Sequence, residues 1–194
     1  CKYVNLDYKT SLDAKYQAGI SLLRDAGVLQ VAHVLPAVES PRALRYRAYF
    51  KLAVRPIPAE IGATTTAPND PQLTMVTEPA KRFAIGLFEP GTHKVIEMDD
   101  CPLHVPPLRR LLVDLRQELD ASPITPYDES TGEGQLRYIA ARAAHLTGEI
   151  MITFVVTTAI KHDLRALTQR LIRRGHKINS CLLYTSPSPR DATL

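Results

Sequence analysis

Between Arg82 and His104 the chain reads as a strand, a turn, a second strand, and then a cysteine set just before a proline-started helix. No other stretch limits the fold so tightly. Pro90-Gly91 makes the turn: proline presets φ at the first central position of a type II turn, and glycine takes the positive φ required at the second. Cys101-Pro102 then falls on a stiff corner where a strand ends and a helix begins. A lone cysteine at such a place fits a buried structural thiol. A Cys-Pro pair also marks loops that bind metal clusters.

Upstream, Leu44, Tyr46, Ala48, Phe50, Leu52 and Val54 alternate with Arg45, Arg47, Tyr49, Lys51 and Arg55. Period two predicts a half-buried strand whose outer face is basic and free of acids. Such a face is either a solvated edge guarded by charge or a surface that tracks phosphates while Tyr49 stacks on a base. The net charge of +4 is modest, so the argument for nucleic acid rests on this clustering and not on total charge.

The rest of the chain supplies the frame. Residues 7–26 place Leu12, Tyr16, Ile20 and Leu23 at helical spacing, with Gly27 as the closing cap. Residues 56–81 carry Pro56, Pro58, Pro68, Pro71 and Pro79, which predicts a long loop. Pro106-Pro107 opens a helix with an apolar stripe of Leu108, Leu111, Leu112, Leu115 and Leu119, leaving Arg109, Arg110, Arg116 and Glu118 towards water. Residues 149–156 are apolar on both faces and predict a central strand. Residues 161–174 predict a helix with Leu164, Leu167, Leu171 and Ile172 on one face; its other face collects cations towards the C-terminus, as the helix dipole favours. Asp128, Glu129 and Glu133 sit in a Gly-rich turn and read as turn-formers and solvated charge, not as a general acid and base. His93 and His104 read as loop residues. The expected class is α+β, a mostly antiparallel sheet with flanking helices.

With 194 residues the chain has room for about one domain, and it contains no apolar run near the ~20 residues that span a bilayer. Three scattered cysteines make no disulfide framework and point to a reducing compartment, hence the cytoplasm. Gly-rich phosphate loops, a Ser/His/Asp set and a metalloprotease helix are missing from the pattern. An opening on Cys1 in mid-pattern suggests an internal fragment, and residues 181–194 resemble an in-frame translation of a sequencing adapter. That Ser/Pro-rich tail is expected to be disordered.

From Ile85-Gly86-Leu87-Phe88 through Gly91-Thr92-His93 to Cys101-Pro102-Leu103, the chain resembles the iron–sulfur RNA uracil-C5 methyltransferases. Tyr127-Asp128-Glu129, Gly132, Gly134, Leu136, Arg137 and Arg142 extend the likeness, as do Tyr46, Arg47 and Lys51, while Ala48 and Tyr49 depart from it. The resemblance implies that Cys1 and Cys101 are the third and fourth thiolate ligands of a [4Fe–4S] cluster. It implies a cluster-adjacent helix segment at residues 1–27 and a central RNA-binding domain at residues 28–180, with residues 56–81 inserted. Arg45, Arg47, Tyr49, Lys51, Arg55 and Arg137 are the expected RNA-binding residues. The implied reaction forms 5-methyluridine in RNA, ribosomal RNA first and transfer RNA second, with S-adenosylmethionine as donor. The catalytic residues and donor pocket would lie in a Rossmann-like domain missing here. This monomeric polypeptide would then hold neither cofactor stably and would be inactive alone. The rival expectation is a non-catalytic RNA-binding module whose cysteines are structural.

Overall fold

The computed structural model describes residues 6–30, 33–57 and 83–185, which fall into two compact units divided after Leu44. Cys1, nearly all of the proline-rich loop and the last nine residues lie outside the described residues.

In the first unit, helix α1 spans Tyr8–Asp25. Asp7 caps it: its carboxylate accepts the Thr10 N–H at 3.2 Å, and that bond holds the carboxyl below the usual carboxylate range. Gly27, at φ 72°, follows the last turn and leads into a 3₁₀ turn, Val28–Gln30. The Tyr8 hydroxyl accepts the Ser40 N–H at 2.6 Å and ties the helix start to the chain that returns past it. Ser11 is the one buried residue described on this helix.

The second unit is a six-stranded sheet and two helices. The strands are β1 Tyr49–Pro56, β2 Phe83–Phe88, β3 Val95–Glu97, β4 Leu136–Ala143, β5 Ile150–Val156 and β6 Ile178–Thr185, in the order β3-β2-β1-β4-β5-β6. Neighbours are antiparallel except β5 and β6. That pair runs parallel because helix α3, Lys161–Arg173, carries the chain back between them. The α+β expectation, mostly antiparallel with flanking helices, holds.

Helix α2, Pro106–Asp120, buries the five expected leucines against Phe50, Leu52, Val54, Ile139, Ile152 and Phe154 in one continuous core. Two residues on α2 depart from the water-facing expectation. Glu118 is buried and accepts from Arg170 Nε at 2.5 Å and Arg174 Nε at 2.7 Å on and after α3. Arg116 reaches to the other side and donates to the carbonyls of Ile85 at 2.5 Å and Met98 at 2.9 Å. Helical periodicity marks the side that faces the sheet; it is silent about flanks that meet a neighbouring element. On α3, Leu164, Leu167 and Leu171 are buried, whereas Ile172 is exposed.

One further expectation changes. Cys181–Thr185 are not disordered: they continue β6, with Cys181 opposite Ile152 and Tyr184 opposite Val155. These five residues are good strand formers beside a buried strand, and the Ser/Pro composition behind the disorder reading begins only at Ser186. Strand β5 lies inside the sheet between β4 and β6, as expected, with Ile150, Ile152, Phe154 and Val156 buried and Met151 exposed on its other face.

The hairpin that frames the fold forms as expected. Gly91 has φ 75°, and Thr92 N–H donates to Glu89 O at 3.0 Å across the turn. Strands β2 and β3 approach so closely that a Cβ on Gly86 would lie 1.8 Å from the Ile96 carbonyl oxygen. Only glycine fits there.

Candidate nucleic-acid interface

The even residues of β1 point into the core, so its odd residues line the face opposite the helices. Pairing sets Tyr49 beside Arg142, Lys51 beside Ala140 and Ala53 beside Tyr138 on β4. On the other side, Ala53 meets Gly86 and Arg55 meets Ala84 on β2. This face has two ends of different character.

At the Arg55 end the sheet is roofed over. Arg55 is only 7% exposed, which departs from the basic outer face expected of it. Its guanidinium forms an ion pair with Glu129 and donates to the carbonyls of Val54 at 2.8 Å and Arg137 at 3.3 Å. Three rings surround it, with centroids 5.1 Å (Phe88), 5.5 Å (Tyr138) and 5.9 Å (Tyr127) from its Cζ. Arg137 stacks on Tyr127 at 4.8 Å and belongs to the same cluster. Glu129 is therefore not a solvated turn-former: besides Arg55 it holds His93, whose Nδ1 lies 2.5 Å from Oε2. The Gly-rich turn of residues 128–134 delivers Tyr127 and Glu129 onto the sheet, with Gly132 at φ 74° and Gly134 at φ 95° allowing it to fold back.

At the Tyr49 end the face stays open. Strand β2 joins β1 only from Ala53 onward, so Tyr49–Leu52 pair with β4 alone among the strands. Beside them lies a crevice of about 650 Å³, whose polar lining is Arg47, Tyr49, Lys51, Arg142, His104 and His145. Among the described residues no Asp or Glu lines it. Arg47, Lys51 and Arg142 have no carboxylate partner among the described residues, whereas Arg55, Arg109, Arg116, Arg170 and Arg174 each have one. Instead, Arg142 sits over the Tyr49 ring at 5.4 Å and Lys51 over the Tyr138 ring at 5.0 Å. Arg45 is not among the residues that line the crevice. Its φ of 57° breaks the extended chain before the strand begins, leaving Leu44, Arg45 and Tyr46 exposed.

The Cys101 corner supports the open end from beneath. Arg45 N–H donates to Pro102 O at 3.0 Å, Arg47 N–H to Leu103 O at 2.8 Å, and Val105 N–H to Arg47 O at 3.0 Å. Asp100 pairs with Arg109 on α2, which holds the Asp100 carboxyl below its usual range. His104, read from sequence as a loop residue, is 1% exposed against the Phe50 ring at 5.5 Å. Burial pushes its pKa down, and the Arg47 charge adds to that.

Cys101 itself is half-buried with a free thiol. No group of three or more His, Cys, Asp or Glu that could hold a metal occurs among the described residues, and Cys181 lies on β6 beside Thr168 Oγ1 at 3.4 Å. Cys1 is outside the described residues. One thiolate does not fit a four-cysteine cluster. The described lining of the basic crevice does not fit S-adenosylmethionine either, since the donor's sulfonium and ammonium would face cations with no carboxylate among the described residues to meet them. Among the described residues no helix is long and apolar enough to cross a membrane.

The chain is 22% identical to an uncharacterised RNA methyltransferase of Synechocystis sp. over 98% of its length, and 25% identical to one of Nostoc sp. over 99%. In both cases the match covers 37% of the relative. A third, from Parasynechococcus marenigrum, is 34% identical over 55% of this chain and 23% of the relative. Its relatives are RNA methyltransferases. The chain spans little more than a third of the length of the first two. Among solved structures it shares its fold with part of the Pyrococcus abyssi tRNA (uracil-54, C5)-methyltransferase, crystallised with S-adenosyl-L-homocysteine. The TM-score is 0.60 at 21% identity, over 95% of this chain and 35% of that one. No family model matches the chain.

Proposed function

We propose that this chain is the RNA-holding part of an RNA methyltransferase that makes 5-methyluridine with S-adenosylmethionine as donor. The observation that carries the reading is the open end of the sheet: Arg47, Lys51 and Arg142 around one crevice, without a carboxylate among its described lining residues. Phosphates supply the missing counter-charge, and Tyr49 offers a ring for a base. Arg55 and Arg137 serve this surface indirectly, as parts of the packed cluster that holds Tyr138 under Lys51. In such a reaction a cysteine adds to C6 of an unstacked uracil, C5 takes the methyl group as the donor's sulfur–methyl bond breaks, and a base removes the C5 proton as the cysteine leaves C6. We assign those groups and the donor pocket to the part of the relatives' length that this chain does not match. Ribosomal RNA is the first substrate to test and transfer RNA the second, the solved relative acting on transfer RNA.

A protein extended to the length of its relatives tests this, given labelled donor and uridine-containing RNA of both kinds. Label appearing on uridine C5 is the expected result. RNA binding without transfer would favour a non-catalytic binding module instead. The proposed cluster role of Cys101, shared with Cys1, has its own readout. Anaerobic iron and sulfide should give the extended protein a brown iron–sulfur absorbance that Cys101→Ser loses.

A further inference from the structure

The crevice at the open end is larger than phosphate contacts alone require. Its volume, about 650 Å³, lies in the roughly 300–1,000 Å³ range of pockets that enclose small organic ligands. Cations line it, and the exposed Leu87 and half-buried Met98 give it an apolar floor, with Phe50 and Leu52 nearly fully buried behind. His104 is part of the lining, and its buried Nδ1 has no hydrogen-bond partner. A buried polar atom without a partner is rare in folded proteins. A nucleobase matches such a place: apolar faces, a polar edge, and a phosphate attached at a short distance.

We propose that this crevice takes one unstacked nucleotide of the bound RNA, its base lodged on the apolar floor beside His104 and its phosphates against Arg47, Lys51 and Arg142. The inference rests on the RNA reading above and adds that the strand is gripped by a base as well as by charge. Burial favours the neutral His104 ring, which carries one donor and one acceptor nitrogen, and the unpartnered Nδ1 is the one left for a base edge that enters the crevice.

The test uses the full chain and a labelled single-stranded RNA of roughly twelve nucleotides, with a matched series carrying one abasic residue at successive positions. Ala144→Phe fills the crevice from an exposed lining residue and leaves every cation in place. Leu87→Trp, also at an exposed lining position, fills it from another wall should the first variant fold poorly. A lodged base contributes about 1–3 kcal/mol, so one abasic position should weaken binding on the order of tenfold. The filled variants should lose a similar factor on intact RNA, lose nothing further on that abasic RNA, and keep an unchanged salt slope. Filled variants that bind intact RNA as tightly as the unmodified chain would overturn the inference while leaving RNA binding intact. Failure of the unmodified chain to bind any RNA would overturn both.

Discussion

The two ends of β1 carry similar cations, four residues apart on one face, to opposite fates. Lys51 is exposed over the Tyr138 ring, while Arg55 is sealed beneath Tyr127, Phe88 and Glu129. Alternation decides which face a side chain takes; what another segment lays over that face decides whether its charge is free. Taking a cation out of water costs several kcal/mol unless partners offset it. Arg55 has a carboxylate, two carbonyls and three rings for that purpose, and its one unpartnered donor, Nε, is buried away from any phosphate. The lesson is that a basic strand divides its work, with one end locking the sheet and the other binding.

The largest effect that would sharpen this contrast is at the closed end. Arg55→Ala strands the partly exposed Glu129 and empties a ring-lined site, and should cost about 2–4 kcal/mol of stability, read as a lower urea midpoint. A variant with an unchanged midpoint would return Arg55 to the surface. Next in size is Gly86→Ala. Its Cβ collides with the Ile96 carbonyl, so β3 and the turn bearing His93 must shift, at about 1–3 kcal/mol. Loss of the protection of β3 amides against hydrogen exchange is the signature to look for.

A smaller effect lies under the open end, in the pH dependence of His104. Its folded pKa is lowered, so the unfolded chain takes up the proton first. The stability linked to the neutral ring is fully present above the unfolded value of about 6.5 and is lost as pH falls through the lower folded value. Urea midpoints measured from neutral pH downward should therefore fall more steeply for the unmodified chain than for His104→Phe. Parallel profiles would show that His104 is not the group responsible.

Much of this architecture was legible in the residues themselves. The leucine stripe of α2, the Pro90-Gly91 turn and the inward Phe50, Leu52 and Val54 follow from periods of 3.6 and 2 and from turn chemistry. What escaped was set by contacts between elements. Glu118 is buried because α3 brings Arg170 and Arg174 to it, and Glu129 is engaged because a glycine-rich turn folds over β1. Within the candidate site, Arg47, Tyr49 and Lys51 were found by alternation. Arg142 showed only as the second arginine of a motif, and no local signal placed His104 or His145 at the crevice. Arg45 fell outside because one left-handed residue ends an alternation that composition alone cannot see ending.

The account stands most directly on the salt dependence of RNA affinity. Binding of single-stranded RNA should be compared for the unmodified chain and for Arg47→Ala/Lys51→Ala/Arg142→Ala, at matched unfolding midpoints. Three lost phosphate contacts should make the slope of log K against log salt shallower by about 2. An unchanged slope would place the RNA elsewhere on the molecule and contradict the division of β1 into a locking end and a binding end.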